Sequence, residues 1–424
     1  MKILTALLLL AAFRPSSSQE ERLPLNPVDD GTSLLESVDH QEEEEEEEIQ
    51  GTAVQRLAYS LSDFGYNLYR QVASSNPDAN VYLSPLSVAT TLSALSLGTV
   101  SRNEQILHGV LNYDLVKDLN VHSVYKELLT EITALPKSFK TISRLYTKKL
   151  RMRSNFLKQV DTFYGARPKA VFGNEQQDLQ NINQWAKSRS GGQINQVINS
   201  MPQDLSILLL SAAQYKGQLL TKFNAAETTQ KAFNVDHGQF VNIPMMSGTN
   251  YPLRYGYDTE LSCKIGLFRY VGDISLLIFL PDDIRRNMSL IEDSLNPVFI
   301  HDLVYQMQNV QATVSLPKLK ITLHQELKES LGEMTDLTPL YTPSKLNKIS
   351  NVPLMVSSIK HSASLELGEK GVQASPAMQP GHIIMDFQVN RPFLLVLYDN
   401  PSGSLLHIGR VLDPRGLLGE PLHQ

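Results

Sequence analysis

Between positions 137 and 170 the chain places ten cations, Lys137, Lys140, Arg144, Lys148, Lys149, Arg151, Arg153, Lys158, Arg167 and Lys169, against one acid, Asp161. Clustered ammonium and guanidinium groups hold anions, and a linear polyanion adds the release of its condensed counterions to the binding free energy. The centre, Lys148-Lys149-Leu150-Arg151-Met152-Arg153, alternates charged and apolar side chains and reads as a strand. In that form Lys149, Arg151 and Arg153 share one face at about 6.6–6.8 Å per two residues, with Leu150 and Met152 turned to the core. A solvated basic face is the ordinary reading of such a stretch. Its strong charge, in a chain that reads as secreted, favours instead a site for sulfated glycosaminoglycan such as heparin. The candidate contacts are Lys137, Lys140, Arg144, Lys148, Lys149, Arg151 and Arg153, and the compartment argues against nucleic acid.

Other chemistry finds little support. There is no G-x-S-x-G elbow, H-E-x-x-H pair, phosphate-binding Walker loop, dinucleotide fingerprint or C-x-x-C. The ten histidines do not cluster at ligand spacing, so neither a catalytic residue, a metal nor a cofactor is expected. The single cysteine, Cys263, has no internal disulfide partner and reads as a small buried hydrophobe. Asn287-Met288-Ser289 is a glycosylation sequon, expected on the surface.

The positioning frame follows from pattern. Residues 1–18 carry Lys2, a short apolar run and small residues, the layout of a secretory signal peptide. Residues 19–50 hold thirteen acids, seven of them consecutive at 42–48, against Arg22 alone, and read as a disordered tail. No later stretch is long and apolar enough to span a bilayer, so no membrane insertion is expected. Val54, Leu57, Ala58, Leu61, Phe64 and Leu68 trace one face of a helix. A short strand at 80–83 precedes Ser84-Pro85, a helix start, and a nearly uncharged helix over 86–97 ending at Gly98. Strands are expected at 275–280 and 312–316, and a hairpin joins 393–397 to 405–411 through Asp399-Asn400-Pro401-Ser402-Gly403. Helices mix with strands without βαβ alternation, which argues for α+β. With no linker visible, 51–416 reads as one monomeric domain with a C-terminal extension over 417–424.

Several motifs together resemble the serpin family over roughly positions 54–416. They are Asn80-Val81-Tyr82-Leu83-Ser84-Pro85-Leu86-Ser87, Ile182-Asn183-Gln184-Trp185, Tyr215-Lys216-Gly217, the stretch 387–397, and Gly409-Arg410-Val411-Leu412-Asp413-Pro414. The resemblance implies an α+β fold with three β-sheets, about nine helices and an exposed reactive-centre loop. It places Ser84, Ser87 and His361 at the family's shutter, with Ser211 where an asparagine is common and Leu219 where a tryptophan is usual. Within the family the stretches 84–98, 257–264, 290–303 and 412–416 are similar to a non-inhibitory extracellular signalling member. That likeness implies neurotrophic and anti-angiogenic action through cell-surface receptors, and both a heparin-type and a collagen site. Lys148, Lys149 and Arg151 fall on the former, and Asp258, Glu260 and Asp302 on the latter.

Inhibitory serpins trap a protease by inserting the cleaved loop into the central sheet. Glu369-Lys370-Gly371, Val372 and Ala374 suit such a hinge, but Pro376 and Pro380 follow. Proline has no N–H for a ladder, and each would leave a strand carbonyl unpaired at about 1–3 kcal/mol if buried. Phe393 also comes only 22 residues after Gly371, shorter than in typical inhibitors. A non-inhibitory loop is the expectation, and a working protease inhibitor the alternative.

Overall fold

A computed structural model describes residues 51–236, 238–374 and 384–418. The expected signal peptide, the acidic stretch 19–50, Pro376, Pro380 and 419–424 lie outside the described residues.

The chain opens with α1 (Ala53–Ser75), whose N-terminus carries a reciprocal capping box between Thr52 and Gln55. Its buried face includes Val54, Leu57, Ala58, Leu61, Phe64 and Leu68, the stripe expected from the spacing. Strand β1 (Val81–Leu83) leads into α2 (Pro85–Ser96), every residue of which is buried. Ser84 holds the N-cap position, but its hydroxyl donates to the Leu406 carbonyl at 2.7 Å instead of capping the helix. Gly98 closes this region because a Cβ there would sit 2.3 Å from Cγ1 of Ile349.

Helices α3 (Arg102–Val110) and α4 (Val121–Thr133) precede β2 (Phe139–Thr147), α5 (Ser154–Tyr164), β3 (Lys169–Ala170) and α6 (Glu175–Arg189). Then come β4 (Ile207–Tyr215), β5 (Leu219–Thr221), β6 (Thr229–Asp236), β7 (Gln239–Asp258), β8 (Cys263–Tyr270) and β9 (Ile274–Pro281). Helices α7 (Ile284–Ser294) and α8 (Pro297–Gln306) are followed by β10 (Gln308–Pro317), β11 (Leu319–Glu326), α9 (Lys328–Met334) and α10 (Thr338–Tyr341). The chain closes with β12 (Val356–Leu367), β13 (Gly371–Gln373), β14 (Ile384–Gln388), β15 (Phe393–Asp399) and β16 (Leu405–Val411).

Among the described residues the strands form a five-stranded sheet, in the order β11-β12-β4-β2-β3, and an eleven-stranded one. The three sheets expected are therefore two hydrogen-bonded networks, because β7, 20 residues long, runs unbroken through territory that would otherwise divide. The buried strand β9 and the hairpin β15–β16 match the apolar runs read from sequence. Helix α2 lies against the inner face of the five-stranded sheet, and α6 covers the outer face through Ile182, Ala186 and the half-buried Trp185.

A buried ion pair ties the hairpin to α1. Arg410 donates to both Glu292 oxygens at 3.0 and 3.2 Å, and to the carbonyls of Ala73 and Asn76 at the C-terminus of α1 at 3.1 and 2.5 Å. Tyr69 adds a 2.7 Å bond to Glu292. The guanidinium so placed satisfies carbonyls that the helix end leaves unpaired.

Candidate functional site

The cations at 148–153, expected in one strand, follow the end of β2, while Lys140 and Arg144 lie within β2 and Lys137 precedes it. The ladder from β2 to β4 ends at Thr147↔Ile207. After a last bond from the Lys148 amide to the Ser206 carbonyl (3.0 Å), the chain leaves the sheet until the Arg153 amide meets the Ile349 carbonyl at 2.8 Å. Residues 148–153 are thus irregular, correcting the strand reading: β3 supplies only two residues of partner and ends at Ala170. The alternation survives without a ladder, since Leu150 and Met152 pack on the core while Lys149, Arg151 and Arg153 stay exposed. Lys169 on the edge strand joins this group, paired in register with Tyr146.

Three predicted cations are engaged elsewhere. Lys137 forms an ion pair with Asp399, whose carboxylate is 1% exposed and also accepts from the Ser402 amide and hydroxyl. It holds the β15–β16 turn and is not a surface cation. Arg144 stacks its guanidinium 4.0 Å from the ring centre of Trp185, a cation–π contact on the face that α6 covers. Arg153 spends a nitrogen on Asn351 at 2.5 Å. Lys140 pairs in register with Gln214, eight residues before Lys148 and so about 26 Å along the strand. The group free to meet an anion together is Lys148, Lys149 and Arg151, with Lys169 beside it.

Asp258 and Glu260 sit where β7 turns into β8, and Asp302 lies on α8. Asp258 Oδ1 accepts from the amides of Glu260 (3.0 Å) and Leu261 (2.9 Å), so this carboxylate also shapes the turn from β7 to β8. Glu260 is exposed. Asp302 lies on α8, beside its neighbour His301 at 3.2 Å. Arg254 of β7 donates to the carbonyls of Val304 and Met307 and so fastens the end of α8 to the strand that carries Asp258. Sequence reasoning missed the exposed tyrosines of these elements, Tyr257 (47% exposed) and Tyr305 (85%).

The expected sequon does not present its side chain outward. Asn287 lies in α7, is 6% exposed, and donates its amide to the Leu261 carbonyl at 2.8 Å. A glycan on Nδ2 requires that bond to be given up and the side chain turned to solvent. Cys263 is buried, and burial pushes its thiol pKa up.

Ser84, His361 and Ser211 come together in the buried interior. The Ser84 amide donates to His361 Nε2 at 2.9 Å, so that nitrogen must accept and the ring proton belongs on Nδ1, 2.8 Å from Ser211 Oγ. An imidazolium would face the amide donor to donor. Burial, and then His324 nearby, hold the His361 pKa down to about 3. Ser87 is buried, and its hydroxyl finds no partner among the described residues.

His361 is also in register with Ser211 across the parallel β4–β12 pair. Those strands are hydrogen-bonded directly to each other from Val356↔Ile207 to Leu365↔Tyr215, which leaves no slot between them.

The hinge is seated outside this sheet. Gly371 pairs with Leu219 and Gln373 with Thr221, making β13 a parallel neighbour of β5. A Cβ on Gly371 would lie 2.6 Å from backbone atoms of Lys222, so this approach needs glycine. Glu369 reaches Lys318 and Thr228, each at 2.9 Å. Burial would raise its pKa, but those hydrogen bonds prevail and lower it. Val372 and Ala374 are exposed. Beyond the hinge, β14 is in parallel register with β10 from Gln311↔Ile384 to Ser315↔Gln388. Only 374–383, which include Pro376 and Pro380, separate β13 from β14.

A family profile, Serpin (serine protease inhibitor), matches residues 59–414. The chain is 41% identical to human pigment epithelium-derived factor, covering 98% of this chain and all of that protein. It is 31% identical to mouse alpha-2-antiplasmin, over 85% of this chain and 72% of the relative. The fold superposes on mouse protein Z-dependent protease inhibitor with a TM-score of 0.77, covering 85% of this chain and 98% of that one at 23% identity.

Proposed function

The chain belongs to the serpin family, and from that premise we propose that it is a secreted, non-inhibitory member. In this reading it is an extracellular signalling and matrix-binding factor of neurotrophic and anti-angiogenic type. The observation that carries the proposal is the loop. An inserted strand as long as β4, nine residues, would take up nearly everything between β13 and β14 and would contain both prolines. Each proline denies the ladder a donor, and no cleavage point leaves both an insertable strand and a loop beyond it. The full-length likeness to pigment epithelium-derived factor supports the same reading.

With the loop unfit for trapping, the work falls to the charged faces. Lys148, Lys149 and Arg151 suit sulfated glycosaminoglycan. Asp258, Glu260 and Asp302, flanked by Tyr257 and Tyr305, suit collagen, whose basic side chains and proline rings such a surface can meet. The signal-peptide pattern read at 1–18 supports an extracellular site of action, and no described helix is long and apolar enough to cross a membrane. Binding of the secreted chain to immobilised heparin and to collagen I, compared with K149A/R151A and D258N/D302N variants, tests the surfaces. Each pair should lose one ligand and keep the other, and loss of neither removes this assignment.

A working inhibitor is the second reading, favoured by the Glu369-Lys370-Gly371 hinge and by the 31% identity to an antiplasmin. A protease complex that survives a denaturing gel would establish it.

A further inference from the structure

Strands β7 and β8 pair only from Asp258↔Cys263 to Arg254↔Leu267. Past that point β8 turns to β5 through Leu219↔Tyr270, while β7 continues beside β10. A cleft of about 720 Å³ opens in the fork, a size suited to a small organic ligand. Its apolar wall is Tyr251, Leu253, Leu267 and Val310, and its polar groups include Arg254, Arg269, Gln311 and Gln373. Among the described lining residues there is no carboxylate, so two guanidiniums face the space without an acid beside them. Arg254 is fixed by its bonds to the Val304 and Met307 carbonyls, whereas Arg269 is exposed and forms no ion pair among the described residues. The Oε1 atom of Gln311 is buried with no protein partner among the described residues.

We propose that this cleft binds a small amphipathic anion, an alkyl or aryl carboxylate or sulfonate. Its tail would lie on the Tyr251–Leu267 wall and its head between Arg269 and Arg254, the two guanidiniums favouring an anion and the wall favouring a hydrocarbon body. Neither a neutral lipid nor a cation of the same chain length satisfies both halves. The cleft also adjoins the hinge: Gln373 lines it, and the Gln373 carbonyl accepts the Lys222 amide at 2.8 Å. An occupant touching Gln373 would strengthen the seat of β13 on β5, which makes the site a ligand-responsive clamp on the loop.

The test uses the full secreted chain and the probe 8-anilinonaphthalene-1-sulfonate, followed by fluorescence. One saturable site is expected. Arg269→Glu should weaken it at least tenfold, and dodecanoate should displace the probe where dodecyltrimethylammonium does not. Arg269 is exposed, so this variant should melt as the parent does. If it fails to fold, Gln311→Leu on the opposite wall serves instead, with loss of affinity expected. Absence of saturable binding, unchanged affinity in the folded variant, or equal displacement by the cationic amphiphile would overturn the proposal.

Discussion

Lys137→Ala separates the two roles that a lysine in this basic stretch could play. Its ammonium pairs with Asp399, the two side chains being 14% and 1% exposed. Removing it leaves a buried carboxylate held, among the described residues, by the amide and hydroxyl of Ser402. Breaking a buried pair from one side costs about 3–5 kcal/mol, and the two remaining donors put this case near the lower end. Unfolding entropy of roughly 2.1 cal/mol/K per residue gives a domain of this size about 0.8 kcal/mol/K, so the melting temperature should fall by about 4 °C. Heparin affinity and its salt dependence should stay as in the parent. K149A/R151A should do the reverse, leaving melting unchanged. If each cation contributes as a nucleic-acid phosphate contact does, the slope of log affinity against log salt should lose about 0.7–0.9 per residue. Scanning calorimetry and heparin chromatography at several salt concentrations read both effects. A K137A protein that melts normally but elutes early would refute the assignment of Lys137 to the Asp399 pair.

Acid should destabilise the fold through buried histidines. Burial holds His361 and His407 down to about 3, and His122 to about 4. The unfolded chain protonates them near 6.5 and so binds more protons between these values, which means stability falls as pH drops below 6.5, by up to about 1.4 kcal/mol per pH unit for each ring. Replacing His407, stacked on Tyr82 with ring centres 5.1 Å apart, by phenylalanine should flatten the fall in melting temperature between pH 6.5 and 4.5. An unchanged slope counts against this. Glu292→Gln strips the charge that faces buried Arg410 and should cost about 3–5 kcal/mol by denaturant titration. A cost under about 1 kcal/mol would mean that the carbonyls at the end of α1 hold the guanidinium unaided.

Local pattern made the frame legible. The stripe from Val54 to Leu68, Ser84-Pro85 before α2, and the apolar runs of β9, β15 and β16 are local signals, and each fixed its element. What misled was information held by distant neighbours. Lys148 to Arg153 alternate like a strand, yet among the described residues no strand runs beside them to complete a ladder, and alternation alone reports only which side chains meet the core. Lys137 reads as one more cation until Asp399, in the turn between β15 and β16, takes it. Asn287 reads as a surface sequon until the Leu261 carbonyl accepts its amide. The family resemblance placed Ser84, Ser87 and His361 together at one shutter. It did not supply the tautomer, which follows only from the Ser84 amide pointing at Nε2.

The central claim, that this serpin does not trap proteases, is tested most directly by nicking the loop within 374–383 and comparing the melting of the intact and nicked chains. The β4–β12 ladder should stay closed, so the two should melt within about 2 °C of each other, and no protease should remain covalently attached on a denaturing gel. A rise in melting temperature of tens of degrees, or a protease complex that survives denaturation, would show that the loop enters the sheet despite Pro376 and Pro380, and would contradict the account.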